Sequence, residues 1–458
     1  MTFFKAKTFF IYFILFFYQN YLLEESLKSP TSNHSLTKSA ATTTSVSILN
    51  VAKPGTKSKF TCHEWMLMLV TSMNLFMMMG FLGCMGILYV ELLQEFHSSK
   101  SVMSAIVALP WGMAFGSGFI AGILINRINC GLVLIFGSLV MAGSIIASSF
   151  ATGVVYLTLT LGIFMGFGGS FIFVASYIGT GLYFGERGQY AIATVSLGVP
   201  LGFLVYPLLM TSLIQLFMWR GALLILGGLA LNGIPFGAII WLASSAKKAK
   251  IERGIISNLG SQKASMKTSV TSIGRIHSTA FSSTVDLDEG DSTLRLCREI
   301  LHNKNFVLIL CCLSLLMSSV TMIFNTLSDF CIELGLTKMD SAFLLTLFNI
   351  PSLCGRFITS LLLRFTKIPS PYIFVVTLSL FGAILATLPL ATNFVTSTVI
   401  ILFSGLMQGP CTGIYTCVII KLVGLNRSAL AQGISDTTYG IITIVVGYLG
   451  GHWIDHCS

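Results

Sequence analysis

The residue that most directly suggests chemistry is an arginine inside an apolar segment. Arg356 ends the sequence NIPSLCGR (residues 349–356), within a run typical of a membrane-spanning helix. A guanidinium in hydrocarbon costs at least about 2.5 kcal/mol on insertion scales and normally faces a cavity or a partner. The position four residues earlier, where a helical acid would pair with it, is Ser352. The pattern favours an anion site in a cavity, and the alternative is a side chain that extends to the cytosolic interface.

Other apolar segments contain weaker candidates. Asn349 and Gln408 could bind a ligand, although an amide in such a segment more often hydrogen-bonds a neighbouring helix. Trp111 and Phe115 are one helical turn apart and either line a cavity or pack against other helices. Asp436, near the start of a late apolar run, is interpreted as a solvated acid at a cytosolic mouth.

Composition indicates that these residues belong to an all-α polytopic membrane protein. Of the 458 residues, 54% are hydrophobic and 10% charged, whereas soluble domains have about 25% charged residues. A window of about 20 apolar residues predicts six spans, then a polar stretch, then five spans. These predicted spans are 65–91, 102–125, 131–150, 153–178, 189–214, 221–243, 305–328, 341–363, 371–391, 394–421 and 429–452.

The polar stretches divide the chain into four parts. We expect a cytosolic tail (1–64), a six-helix bundle (65–243), a disordered cytosolic loop (244–304) and a C-terminal bundle (305–458). The tail includes an apolar run, 9–23, which could be an interfacial helix, a cleaved signal or a further span. Most of the 27 Lys and Arg residues lie on the side of the tail and loop, which predicts a cytosolic N-terminus.

Several functional classes are disfavoured. The basic residues form no separate domain, so we expect no nucleic-acid binding. The cysteines have no metal-ligand spacing, and no GxxxxGK[ST] sequence is present, so we expect no metal and no cofactor. The histidines lie in tails, loops or helix ends, so we do not expect an enzyme.

Several motifs resemble the monocarboxylate transporter family of the major facilitator superfamily. The closest is FMWRGALLILGG (217–228), which is similar to the family's entry into its sixth helix. LYFGER (182–187) and SAFLL (341–345) resemble the openings of its fifth and eighth helices. The turns at 122–131 and 421–427 are similar to cytosolic turns of the superfamily. The resemblance covers about residues 64 to 455.

The resemblance implies two helical bundles around a central site, with alternating access. It places Arg356 on an arginine that binds the substrate carboxylate, Phe115 and Trp111 near site-lining positions, and Gln408 on the site-facing part of helix ten. With Asn349, these are the predicted substrate-binding residues. The implied partners are a small organic anion, in some members a proton, and for some members a single-span accessory glycoprotein, all at the plasma membrane.

Two departures from the family qualify this expectation. Lactate-type members have an aspartate where Ser352 stands and a lysine near Cys84, so we expect only a weak dependence of uptake on a proton gradient. The sequence stops at Ser458, after the eleventh predicted helix, so we expect six plus five helices without a twelfth. The alternative function is a truncated, non-transporting membrane protein or a partner subunit.

Overall fold

The regular elements of the described chain are helices. The computed structural model describes residues 60–96, 100–266, 291–314, 316–317, 320, 338–366, 368–391 and 393–457. In chain order the helices are α1 Cys62–Gly83, α2 Met85–Phe96, α3 Lys100–Gly116, α4 Gly118–Arg127, α5 Cys130–Ser149, α6 Val154–Leu157, α7 Met165–Phe184, α8 Gly188–Val195, α9 Gly198–Ala230, α10 Gly233–Met266, α11 Asp291–His302, α12 Lys304–Ser314, α13 Lys338–Phe365, α14 Ser370–Ala386, α15 Phe394–Val423 and α16 Ser428–Cys457.

The helices are long enough for a multi-pass membrane protein. Within the described residues, six helical stretches have the length and apolar composition to cross a membrane. One of them, Gly188–Lys247, has 60 residues, and it breaks at Met218, where φ is 58°. At 1.5 Å per residue each half of that stretch can cross a 30 Å core. The prediction of a polytopic helical protein is confirmed.

Close helix pairs are made by small residues. In the N-terminal half, α1 packs on α9, where Gly198 lies against the Ser72 carbonyl and Gly202 against Phe76. In the C-terminal half, α13 packs on α15, where Gly405 and Gly409 lie against backbone carbonyls. Lipid tails already solvate apolar side chains, so this close backbone approach is a main source of helix association.

The two halves meet on two sides of the molecule. Gly433 of α16 lies against Gly118 of α4, and the Thr437 hydroxyl donates to the Gly116 carbonyl over 3.2 Å. On the other side, the hydroxyls of Thr194 and Ser360 are hydrogen-bonded at 2.7 Å, which joins α8 to α13. The arrangement is the expected pair of helical bundles.

The prediction of a disordered loop at 244–304 was wrong for two segments. Helix α10 continues from the predicted span to Met266, because Lys, Ala and Glu after residue 244 are good helix formers. Helix α11 is amphipathic, with Ile300 buried, and its Glu299 pairs with Arg427 at 2.8 Å. Burial of an apolar stripe stabilises a polar segment of this kind. The predicted tail and its apolar run lie outside the described residues, apart from residues 60–64.

Candidate functional site

Arg356 lies between the two halves of the protein. It is on α13, and its side chain is only 4% exposed. Its Nη1 donates to the Ser196 carbonyl of the N-terminal half over 2.7 Å, and its Nη2 donates to the Thr412 hydroxyl over 2.8 Å. The guanidinium therefore points across the bundle and not to the lipid interface.

The guanidinium has spare donor capacity. Its Nε is buried, without a hydrogen-bond partner among the described residues. Ion pairs are formed by Arg187, Arg220 and Arg427, whereas Arg356 forms none with a described residue. A buried cation that is held by neutral oxygens and retains a free N–H can accept a carboxylate.

Two hydrogen bonds join α13 to α15 at this point. The Ser352 hydroxyl donates to Oε1 of Gln408 over 2.9 Å, one turn before the Arg356–Thr412 contact. Gln408 is 7% exposed, and its hydrogen bond to Ser352 places its amide one turn from the Arg356–Thr412 contact. Asn349 is half-buried and lies seven residues before Arg356, on the same helix face, about 10 Å away along the axis.

A continuous series of aromatic rings runs from the guanidinium to the predicted aromatic pair. We call it the aromatic ladder, and it consists of Tyr177, Phe173, Phe115, Trp111 and Phe203. The ring centroids of successive members are 5.0, 5.3, 6.3 and 6.1 Å apart. The Tyr177 phenol faces the guanidinium. The structure thus connects Trp111 and Phe115 to Arg356 through residues of α7.

A second polar cluster lies beside the ladder and consists of Asp436, Gln432 and Tyr415. Asp436 is 4% exposed, so its interpretation as a solvated acid was wrong. The helix in which it lies begins at Ser428, two turns earlier, and α4 covers this stretch: the Gly118 backbone faces the Asp436 side chain. Tyr415 also faces the Arg356 guanidinium, so the cluster adjoins the site.

Sequence reasoning did not find several of these residues. Ser196 contributes a backbone carbonyl, for which a sequence carries no signal. Thr412 is one turn after Gln408 and could have been found by extending the polar face of that helix. Tyr415 and Gln432 lie in apolar runs. Gln432 is one helical turn before Asp436, and this pair of polar residues in one apolar run was the missed signal.

Contacts between the two halves also lie at the end where α1 begins. There the guanidinium of Arg364 lies 5.8 Å from the Trp65 ring and 5.5 Å from the Tyr190 ring. Glu64 pairs with Arg187 at 2.6 Å beside them. Because Arg364 belongs to the C-terminal half and the rings to the N-terminal half, these cation–π contacts join the two halves at that end. Among the described residues, no group of His, Cys, Asp and Glu could hold a metal ion.

Comparisons with known proteins agree with this architecture. Residues 67–447 match the model of the Major Facilitator Superfamily. Monocarboxylate transporter 6 from Mus musculus is 31% identical over 38% of this chain and 38% of its own length. The Homo sapiens protein of that name is 34% identical over 38% and 35%. Monocarboxylate transporter 9 from Gallus gallus is 23% identical over 81% and 83%.

The first two of these matches span less than half the length of the relatives. The family model, in contrast, covers most of the chain and both bundles. The chain is therefore a member of the Major Facilitator Superfamily, and the relatives that it matches within it are monocarboxylate transporters.

Proposed function

We propose that this protein carries a small organic anion across the membrane by alternating access, without chemical change to the substrate. The observation that carries the proposal is the buried Arg356, which is paired with neutral oxygens between two helical bundles. The names of the relatives, monocarboxylate transporters, support a carboxylate as the anion. Gradients would drive transport, because the sequence has no nucleotide-binding motif.

The substrate carboxylate would bind through two parallel hydrogen bonds. The Nε of Arg356 is free, and one Nη can exchange its present oxygen for a substrate oxygen. Such a bidentate pair has a defined geometry and is stronger than a hydrogen bond between neutral groups. If the exchanged bond is that to Ser196, anion binding would also release a contact between the two halves. Gln408 and Asn349 would line the polar side of the same site.

The aromatic ladder would hold the apolar part of the substrate. Trp111 and Phe203 are half-buried and stack at an interplanar angle of 7°. Flat apolar walls next to a cation favour an acid with an apolar or aromatic body over a more polar anion.

Alternating access would require the two halves to separate at the end where α1 begins. The distribution of cations assigns that end to the cytosol, with the N-terminus on the same side. Opening would break the contacts of Arg364 and the Thr194–Ser360 hydrogen bond. We place the protein in the plasma membrane, where a single-span accessory glycoprotein would assist its delivery.

Uptake by the purified chain tests the proposal. The chain in proteoliposomes is given radiolabelled pyruvate, a ketone-body acid and an aromatic acid, with unlabelled acid inside to drive exchange. We expect saturable uptake of at least one acid, above that of protein-free vesicles. Absence of saturable uptake for every acid would contradict the proposal and favour the non-transporting alternative.

Replacement of an aromatic wall tests the role of the ladder. We expect Trp111→Ala to raise the KM of an aromatic acid about 10-fold or more, because about 1.5–3 kcal/mol of apolar contact is lost. The KM of a short acid should change less. Phe403→Ala, at a ring that is 52% exposed on α15, is the matched control and should change neither KM. Equal changes in both variants would contradict the assignment.

A further inference from the structure

We propose that the carboxyl group of Asp436 is the proton-binding group of this carrier and couples proton uptake to anion binding. The proposal rests on the proposed function, and it replaces the expectation of weak proton dependence that follows from Ser352 and Cys84. Asp436 lies 80 residues beyond Arg356 in sequence, on a different helix, and yet it adjoins the same site.

Asp436 is buried without a cation beside it. Its neighbours are Gln432 on its own helix, Tyr415 on α15, Tyr177 on α7 and Gly118 on α4. The charged residues on the helices around it lie toward the helix ends: Lys100 on α3, Arg127 on α4, Lys421 on α15 and Asp455 on α16. Arg427, which pairs with Glu299, lies just before α16. Arg427, for example, is nine residues from Asp436, or about 13 Å along the axis. A carboxylate that is removed from water without a partner ion is costly, and protonation removes that cost.

The amide of Gln432 is placed to accommodate both protonation states. Its Nε2 donates to the two Asp436 oxygens, over 3.0 and 3.1 Å, and lies 2.8 Å from the Tyr415 hydroxyl. Its Oε1 is buried and has no partner among the described residues. The present orientation suits an ionised Asp436. After a proton has bound, a half-turn of the amide would turn Oε1 toward the new carboxyl O–H, which would donate to it.

The two tyrosines connect this group to the anion site. Tyr415 donates to Oδ1 of Asp436 over 3.4 Å, and both Tyr415 and Tyr177 face the Arg356 guanidinium. The phenols thus lie near both the positive Arg356 and the negative Asp436, which form no ion pair with each other. A bound carboxylate neutralises Arg356 and leaves the negative charge of Asp436 in excess, which favours the binding of one proton. Anion and proton therefore bind with positive coupling.

The position of Asp436 also explains how the proton could be exchanged on one side at a time. The Gly118 backbone of α4 covers its side chain, and Thr437, the next residue, is hydrogen-bonded to α3 and α4. When the two halves separate at the cytosolic end, this contact opens and Asp436 gains access to water. The group would thus be sealed in the present conformation and exposed in the other.

The test compares the wild type with Asp436→Asn, an isosteric variant that cannot ionise. Because coupling energies of 1–3 kcal/mol are typical, we expect wild-type anion affinity to rise at least about fivefold on acidification by about two pH units. Asp436→Asn should lose this dependence of anion affinity on pH. Glu91→Gln, which removes an acid near the opposite end of the bundle, should retain the dependence. A retained dependence in Asp436→Asn, or one that follows sodium and not pH, would overturn the proposal.

A second readout does not require transport. In infrared difference spectra of the purified protein, we expect a carboxylic-acid carbonyl band that weakens as the pH rises and is missing in Asp436→Asn. If the wild type transports no acid, the proposed function fails. The titration of the infrared band still shows, in that case, whether Asp436 binds a proton. If the wild type carries an acid and the band does not titrate, only the present proposal fails.

Discussion

Substitution of Arg356 by Ala is expected to lower anion uptake at least about 30-fold at equal amounts of reconstituted protein. Loss of one partner of a buried, hydrogen-bonded charge pair costs about 2–5 kcal/mol, and each 1.4 kcal/mol corresponds to about tenfold. The protein should still fold, because the Arg356 partners are a carbonyl and a hydroxyl that water can satisfy. Initial rates of saturable uptake into proteoliposomes provide the measurement.

Two further variants show whether geometry or charge alone is needed. Arg356→Lys keeps the positive charge and loses the planar fork, so we expect uptake to remain well below wild type. Arg220→Lys is the matched control, because Arg220 is an exposed residue whose guanidinium lies 3.6 Å from Glu95. Full activity in Arg356→Lys would show that a point charge suffices, and full activity in Arg356→Ala would contradict the assignment.

Substitution of Gly409 by Val is expected to destabilise the C-terminal half. A Cβ at Gly409 would overlap the Ser352 carbonyl oxygen of the adjacent helix, and this backbone atom cannot move aside as a flexible side chain can. The overlap would push α15 from α13 and separate Gln408 from Ser352, which are now 2.9 Å apart. Overpacking costs typically 1–3 kcal/mol and more where backbone must shift. We therefore expect the unfolding temperature to fall by about 5 °C or more.

The matched control is Gly143→Val. Gly143 is also in a membrane helix, and a Cβ there meets nothing within 4 Å. Thermal unfolding followed by size-exclusion chromatography in detergent should give the wild-type transition for Gly143→Val. Equal stability of the two variants would contradict the close packing of α13 and α15.

The helical architecture could be predicted from the sequence because lipid imposes a simple rule. Apolar runs of about 20 residues must form helices, and the predicted spans agree with the described helices to within a few residues at most ends. Arg356 stood out for the same reason, since a charge in such a run is rare. The helices at 244–266 and 291–302 were missed because their stability comes from continuation of a span and from packing, not from hydropathy.

The chemistry around Arg356 was less predictable because it depends on distant segments. The Ser196 carbonyl lies 160 residues from Arg356, and nothing in either local sequence indicates their contact. The position of Asp436 near a helix start suggested water, whereas the packing of α4 buries it. Helix-to-helix contacts of this kind decide which polar residues are solvated, and periodicity within one helix does not reveal them.

Binding of a carboxylate to the purified protein tests the central claim most directly. Thermal unfolding is measured with an acid that is transported and with its methyl ester, which has the same body without the negative charge. The account predicts that the acid raises the unfolding temperature of the wild type, that the ester does not, and that Arg356→Ala responds to neither. Equal stabilisation by acid and ester, or stabilisation of Arg356→Ala by the acid, would contradict the claim that the buried guanidinium binds the cargo.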